Sequence, residues 1–141
     1  MTSVNNVLFC HSVSLNENED LNLLGVSDAF IVDEVPTTFP LYVYISFDHT
    51  NSESKDGSFT LEVDALYGSE GISVGAWPKK EFKASRTEIV LGEKEWPCDQ
   101  LGYYIFRVKI DGEIVRTAKL FVIPSKELSI RMANNNEQGK E

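Results

Sequence analysis

Two histidines, His11 and His49, and two cysteines, Cys10 and Cys98, are the residues of this 141-residue chain best suited to nucleophilic chemistry. A Ser or Cys nucleophile needs a general base within hydrogen-bond reach, most often histidine. Cys10 and His11 are neighbours in a stretch that reads as a strand, so their side chains point to opposite faces and form no dyad. Cys98 with His49 is the pairing that remains. The simpler reading makes Cys10 a small apolar filler and Cys98 a loop thiol.

Metal chemistry finds little support. Zinc sites use closely spaced Cys/His pairs, and neither CxxC nor HxxxH occurs. Asn16, Asn18 and Asp20 offer hard oxygen ligands at alternating positions, which suits calcium. The EF-hand pattern fails there, because Leu21 stands where glycine is required and Ser27 where the bidentate Glu belongs. The glycines of GSEGISVG lead into strand-like residues rather than a helix, so they read as a turn and a bulged strand, not a phosphate cradle. Acids for glycosidase-type work fall mostly in turns or on wet faces. Trp77, Trp96, Tyr103 and Tyr104 suggest a sugar platform, but both tryptophans precede proline and suit packing at loop ends. No cofactor or resident metal is expected and no catalytic set is recognisable; a hydrolase ranks behind every binding reading.

The elements that would position these residues are short strands. Val7 to Leu15, Leu21 to Val26 and Ala29 to Val32 come first, separated by the polar NENED turn, and LYVYISF after Pro40 alternates Leu41, Val43, Ile45 and Phe47 on one face. Phe59 to Leu66 alternates likewise, followed by Ile72 to Ala76 and Thr87 to Leu91, with GEKEWPCDQLG read as a loop. Residues 103 to 124 form a hairpin around Asp111-Gly112, a pair suited to a two-residue type I′ turn. That turn alone places Arg107 opposite Arg116; a bulged register instead sets Ala118 opposite Phe106 and Leu120 opposite Tyr104, with Arg116 beside Val108, and is slightly preferred. Helical spacing is confined to SKELSIRMA. These features predict an all-β fold, an antiparallel immunoglobulin-like β-sandwich of about seven to nine strands over residues 1–124. A short helix and a flexible polar tail follow over 125–141.

Composition supports a globular chain, at 42% hydrophobic and 11% aromatic residues. The net charge of −9 is unevenly spread. All eight charged residues of the first 54 are acidic, whereas the other 87 carry 14 acids and 13 bases. This discourages direct nucleic-acid binding and contact with anionic membranes. No apolar run is long enough to cross a bilayer, the first residues carry no signal-peptide pattern, and two cysteines make no disulfide framework. A cytoplasmic location is expected.

The pieces VLFCHSVSL, LNLLGV, PTTFPLYVYISF, LGYYIFRVKIDG and LFVIP, over roughly residues 6 to 124, resemble a family of small, functionally uncharacterised bacterial and phage β-sandwich proteins. The resemblance implies an immunoglobulin-like domain of unknown function in a bacterial or phage setting, and it brings no catalytic residues. The functional expectation is a non-enzymatic interaction module for a basic protein partner, with Glu17, Glu19, Asp20, Asp28, Asp33 and Glu34 as the partner-binding residues. The alternative is a phage-type inhibitor or ligand-sequestering protein, acting as a nucleic-acid mimic or a small-molecule binder. Arg107 and Lys109 would form a basic counterpart to the acidic region, within one molecule or between two copies of a homo-oligomer.

Overall fold

A computed structural model of the chain describes residues 2–49 and 57–126. Ten strands are found there: β1 (Thr2–Cys10), β2 (Ser12–Leu15), β3 (Leu21–Leu24), β4 (Ala29–Val32), β5 (Thr37–His49), β6 (Ser58–Tyr67), β7 (Ile72–Lys83), β8 (Glu88–Cys98), β9 (Gly102–Ile110) and β10 (Glu113–Pro124). They form a three-stranded sheet in the order β1-β5-β8, a five-stranded sheet in the order β4-β10-β9-β6-β7, and a separate β2-β3 ribbon. All pairings are antiparallel except β4 with β10, which is parallel. The expected helix and tail lie outside the described residues beyond Lys126.

Alternation places the core where the sequence predicts it. Leu41, Val43, Ile45 and Phe47 on β5 face Phe59, Leu61, Val63 and Ala65 on β6 and Tyr104, Phe106, Val108 and Ile110 on β9, all buried. Each large side chain in this layer contributes about 1.5–3 kcal/mol of transfer free energy. Among the described residues no polar or charged residue is buried.

Three departures from simple alternation shape the rest. The first run does not continue to Leu15 as one strand. It breaks at His11, whose amide donates to the Leu24 carbonyl (3.0 Å) and whose ring stacks on Phe30 with centroids 3.9 Å apart. The chain then leaves the sheet as the β2-β3 hairpin and returns at Ser27, whose amide donates to the Phe9 carbonyl (3.1 Å). Gly25 is required at this neck: its φ is +70°, and a Cβ there would lie 2.8 Å from the His11 ring.

The second departure is β8. Residues read as a loop continue the strand to Cys98, because Leu41 pairs Glu93 while Phe39 pairs Trp96, leaving one extra residue in β8. Ile89 and Trp96 are an odd number of positions apart, so an unbroken strand would point them to opposite faces; the bulge turns both inward, and both are buried.

The third departure settles the closing hairpin. Asp111 and Gly112 both have positive φ, 50° and 84°, and Glu113 pairs Ile110, as in a two-residue type I′ turn. The bulged register is nevertheless found, with Ala118 opposite Phe106 and Leu120 opposite Tyr104, because the extra residue is Val115 within β10 rather than a third turn residue. Arg116 consequently shares the side of Val108. It lies at the open margin of the sandwich and reaches across to β1, donating to the carbonyls of Val4 (3.1 Å) and Asn5 (3.3 Å), the latter being the bulged residue of β1.

Candidate functional site

Cys98 and His49 do not meet. Cys98 pairs Thr37 at the start of β5, and His49 ends that strand, roughly 40 Å away at about 3.3 Å per residue. His49 is held by the Thr2 hydroxyl (2.9 Å) and the Arg86 carbonyl (2.6 Å). Burial pushes the Cys10 thiol above its ordinary pKa, away from the thiolate that a nucleophile needs. Cys98 is buried rather than a loop thiol, and its sulfur lies 3.4 Å from the Gln100 carbonyl and 3.5 Å from the Tyr104 hydroxyl. Tyr104 in turn donates to the Gln100 carbonyl at 2.6 Å, and burial foremost raises its pKa.

The side-chain oxygen of Asn16 accepts the amides of Asn18 and Asp20, both at 2.9 Å, so it closes the hairpin turn rather than standing open to calcium. No group of three or more His, Cys, Asp or Glu with metal-holding geometry occurs among the described residues.

The six acidic candidates divide by position. Glu17, Glu19 and Asp20 sit together in the exposed β2-β3 turn. Asp28 precedes β4, and its carbonyl accepts the Phe121 amide at 2.7 Å. Asp33 and Glu34 follow β4, about 16 Å from Asp28 at 3.3 Å per residue, and Asp33 accepts the Ser125 hydroxyl. The six carboxylates are therefore distributed over the hairpin turn and the two ends of β4. Arg107 and Lys109 do not answer these acids: both engage Asp64 on β6, Arg107 through two bonds of 2.7 and 2.6 Å and Lys109 at 3.1 Å. The hydrogen bond from Arg107, foremost, holds the Asp64 carboxyl below its usual range.

The hairpin is the feature that sequence reasoning underrated. Val13, Leu15, Leu21, Leu23, Leu24 and Val26 are all aliphatic, yet no residue from 11 to 26 is buried. Leu15, Leu24 and Val26 are 68%, 56% and 49% exposed. Between its tip and the outer side of β7 and β8 runs a groove of about 380 Å³, lined by Leu15, Leu21, Phe82 and Leu91, with Glu19, Lys80, Arg86 and Glu88 as its charged residues. Beside it, the Tyr44 hydroxyl donates to Glu88 at 2.7 Å, a bond that pushes the tyrosine pKa up to about 12.

A second groove lies where the edge strands β7 and β8 of the two sheets approach each other, lined by Gly75, Trp77, Pro78, Glu93, Trp96 and Pro97 among others. Trp77 donates its indole N–H to the Gly92 carbonyl at 3.3 Å. Trp96 is buried against Phe39, Tyr104 and Phe106, as the packing reading expects, so its ring faces offer no sugar platform.

Two facing sheets in these orders, a first strand that leaves one sheet and rejoins the other in parallel with the last strand, and a tyrosine bonded back across the corner before β9 define an immunoglobulin-like sandwich. Phe106, two residues after that tyrosine, occupies the place of the second cysteine of antibody domains. The chain belongs to DUF6941, a family of unknown function, whose pattern matches residues 5–123. No curated protein matches the sequence. Among solved structures, it is similar to a Pseudomonas fluorescens alkylpurine DNA glycosylase, AlkC, bound to DNA containing an abasic site analog, with a TM-score of 0.51 and 9% identity over 86% of this chain. The chain spans 30% of the glycosylase. An immunoglobulin-like protein from Pseudomonas aeruginosa matches at a TM-score of 0.45 and 9% identity, covering 86% of this chain and 96% of that one. The similarity to the glycosylase, at 9% identity, shows fold alone. Among the described residues, no helix is long and apolar enough to cross a membrane.

Proposed function

We propose that the protein is a non-enzymatic interaction module that docks a basic protein partner through the β2-β3 hairpin. The observation that carries this is the hairpin's composition and placement: six aliphatic side chains, none buried, next to three carboxylates in one turn. The core is complete without this segment, since no core residue comes from it. Exposed aliphatic groups supply the area that a partner desolvates, while Glu17, Glu19 and Asp20 raise the encounter rate with positive surfaces. Asp28, Asp33 and Glu34 lie elsewhere and contribute to the long-range field. The unpaired thiols of Cys10 and Cys98 fit a reducing, cytoplasmic setting, and the family resemblance favours a bacterial or phage one.

Quantitative pull-down from the native host tests this with two variants, Leu24→Ser and the triple reversal of Glu17, Glu19 and Asp20 to Lys. Both should lose a protein retained by the unaltered chain, and the triple reversal should act mainly at low salt. Recovery of the same proteins in the same amounts by all three overturns the proposal. A second reading, a protein that sequesters a small ligand, draws on the groove beside the hairpin; native mass spectrometry of protein purified from cells would then show a retained mass.

A further inference from the structure

The seam between β7 and β8 presents a donor to its groove. Trp96 is only 4% exposed, and its indole N–H has no hydrogen-bond partner among the described residues, although its neighbour Trp77 has one. The Trp96 nitrogen lies where Gly75 opens the wall of the groove, since a Cβ on Gly75 would be 3.6 Å from it. No buried side-chain nitrogen or oxygen lacks a partner among the described residues, so this N–H opens to the solvent of the groove, where a ligand's acceptor can take the place of water. Beyond Val74 and Pro97, which line both, the groove continues into a second depression lined by Tyr67, Ile72, Ser73, Asp99, Gln100 and Tyr104. The charged residues along the combined seam are Glu93 and Asp99, and no base lines it.

We infer that this seam binds a proline-containing, basic, extended peptide segment of another protein, at a site separate from the hairpin. Three features select that occupant. A polyproline II segment leaves its carbonyls without internal hydrogen bonds, so one is available to the Trp96 N–H. Trp77, Pro78 and Pro97 present a rigid apolar wall, the kind of surface on which proline rings dock. Glu93 and Asp99 lie about 17 Å apart along the bulged strand at about 3.3 Å per residue, which corresponds to roughly five or six residues at a rise of 3.1 Å. The segment therefore carries Lys or Arg five or six positions apart, with proline between them. A carbohydrate would need an open indole face, and that of Trp96 is covered by Phe39, Tyr104 and Phe106.

The test uses the full chain, labelled with nitrogen-15, and synthetic twelve-residue peptides in which two arginines, six positions apart, flank a run of prolines. Binding should shift the Trp96 indole resonance, and replacing both arginines by glutamine should weaken affinity about tenfold at low salt. Gly75→Ala is the informative variant. Its Cβ makes only ordinary contact, so the fold and the Trp77 resonance persist, while the methyl group screens the Trp96 donor and lowers affinity at least tenfold. Glu93→Gln with Asp99→Asn should reduce affinity for the basic peptide and not for its glutamine analogue. The inference is overturned if the Trp96 resonance does not move at millimolar peptide, if Gly75→Ala binds as tightly as the unaltered chain, or if a chito-oligosaccharide shifts that resonance where the peptide does not.

Discussion

Replacing Tyr104 by phenylalanine removes one oxygen from the corner that fixes the start of β9. The hydroxyl donates to the Gln100 carbonyl at 2.6 Å and lies 3.5 Å from the Cys98 sulfur, on a side chain only 2% exposed. A hydrogen bond of this kind contributes about 0.5–1.5 kcal/mol net, and stranding a buried acceptor costs about 1–3 kcal/mol. Gln100 is exposed, so water reaches its carbonyl and the loss falls near the lower end, about 1.5 kcal/mol. With an unfolding entropy of about 2.1 cal/mol/K per residue over roughly 120 ordered residues, Tm should fall by about 6 °C. The Cys98 thiol, 3.4 Å from the same carbonyl, is a substitute donor. Tyr104→Phe combined with Cys98→Ala should therefore cost more than the two single changes together, by about 0.5 kcal/mol. Urea denaturation followed by Trp fluorescence reads all four proteins, with Trp96 reporting from 5.2 Å away. A Tyr104→Phe loss under about 0.3 kcal/mol would refute the corner as a structural tie. Strict additivity would refute the shared acceptor.

Asp64 carries a pH signature. Its folded pKa lies below the unfolded value, so its stabilisation is present above roughly pH 4 and is lost as pH falls through the folded pKa. Asp64→Asn should cost about 1–2 kcal/mol at pH 7, an interior value reduced for the 30% exposure of Arg107. That difference should shrink as pH falls through the folded pKa of Asp64, below its unfolded value; a gap independent of pH in urea melts would show that the ion cluster contributes nothing. Arg116→Ala should cost about 0.5–1 kcal/mol, since both lost bonds are exposed. Hydrogen exchange should then accelerate at Val4 and Asn6 while the amides of β9 keep their protection; equal acceleration in both strands would contradict a local strap.

Legibility in the sequence followed alternation. β5, β6 and β9 each bury every second residue without interruption, and a period of two is readable from residue types alone. Bulges break that reading, because one extra residue exchanges the faces of everything after it. GEKEWPC contains no alternating apolar residues before Trp96, so nothing marked it as strand, and the burial of Trp96 depends on a residue that pairs with nothing. The closing hairpin shows the same limit more mildly: its register was readable from the apolar matches of Ala118 and Leu120, but the position of the extra residue at Val115 was not. Charge was legible as composition and not as place. The run from Glu17 to Glu34 is continuous in sequence, and the fold divides it between a hairpin tip and the two ends of β4. The opening of the Trp96 N–H to the groove left no sequence signal at all.

At the neck of the β2-β3 hairpin, the chain departs and returns within two backbone hydrogen bonds, Ser27 to Phe9 and His11 to Leu24. The hairpin pairs with neither sheet, and closure entropy rises slowly with loop length, by about 0.6 kcal/mol per doubling. Residues 12–24 are a cassette. Segments of other lengths and chemistries could be exchanged there without re-registering any framework strand, which makes this sandwich a scaffold for displaying peptide libraries at a position where antibody domains carry none of their antigen loops.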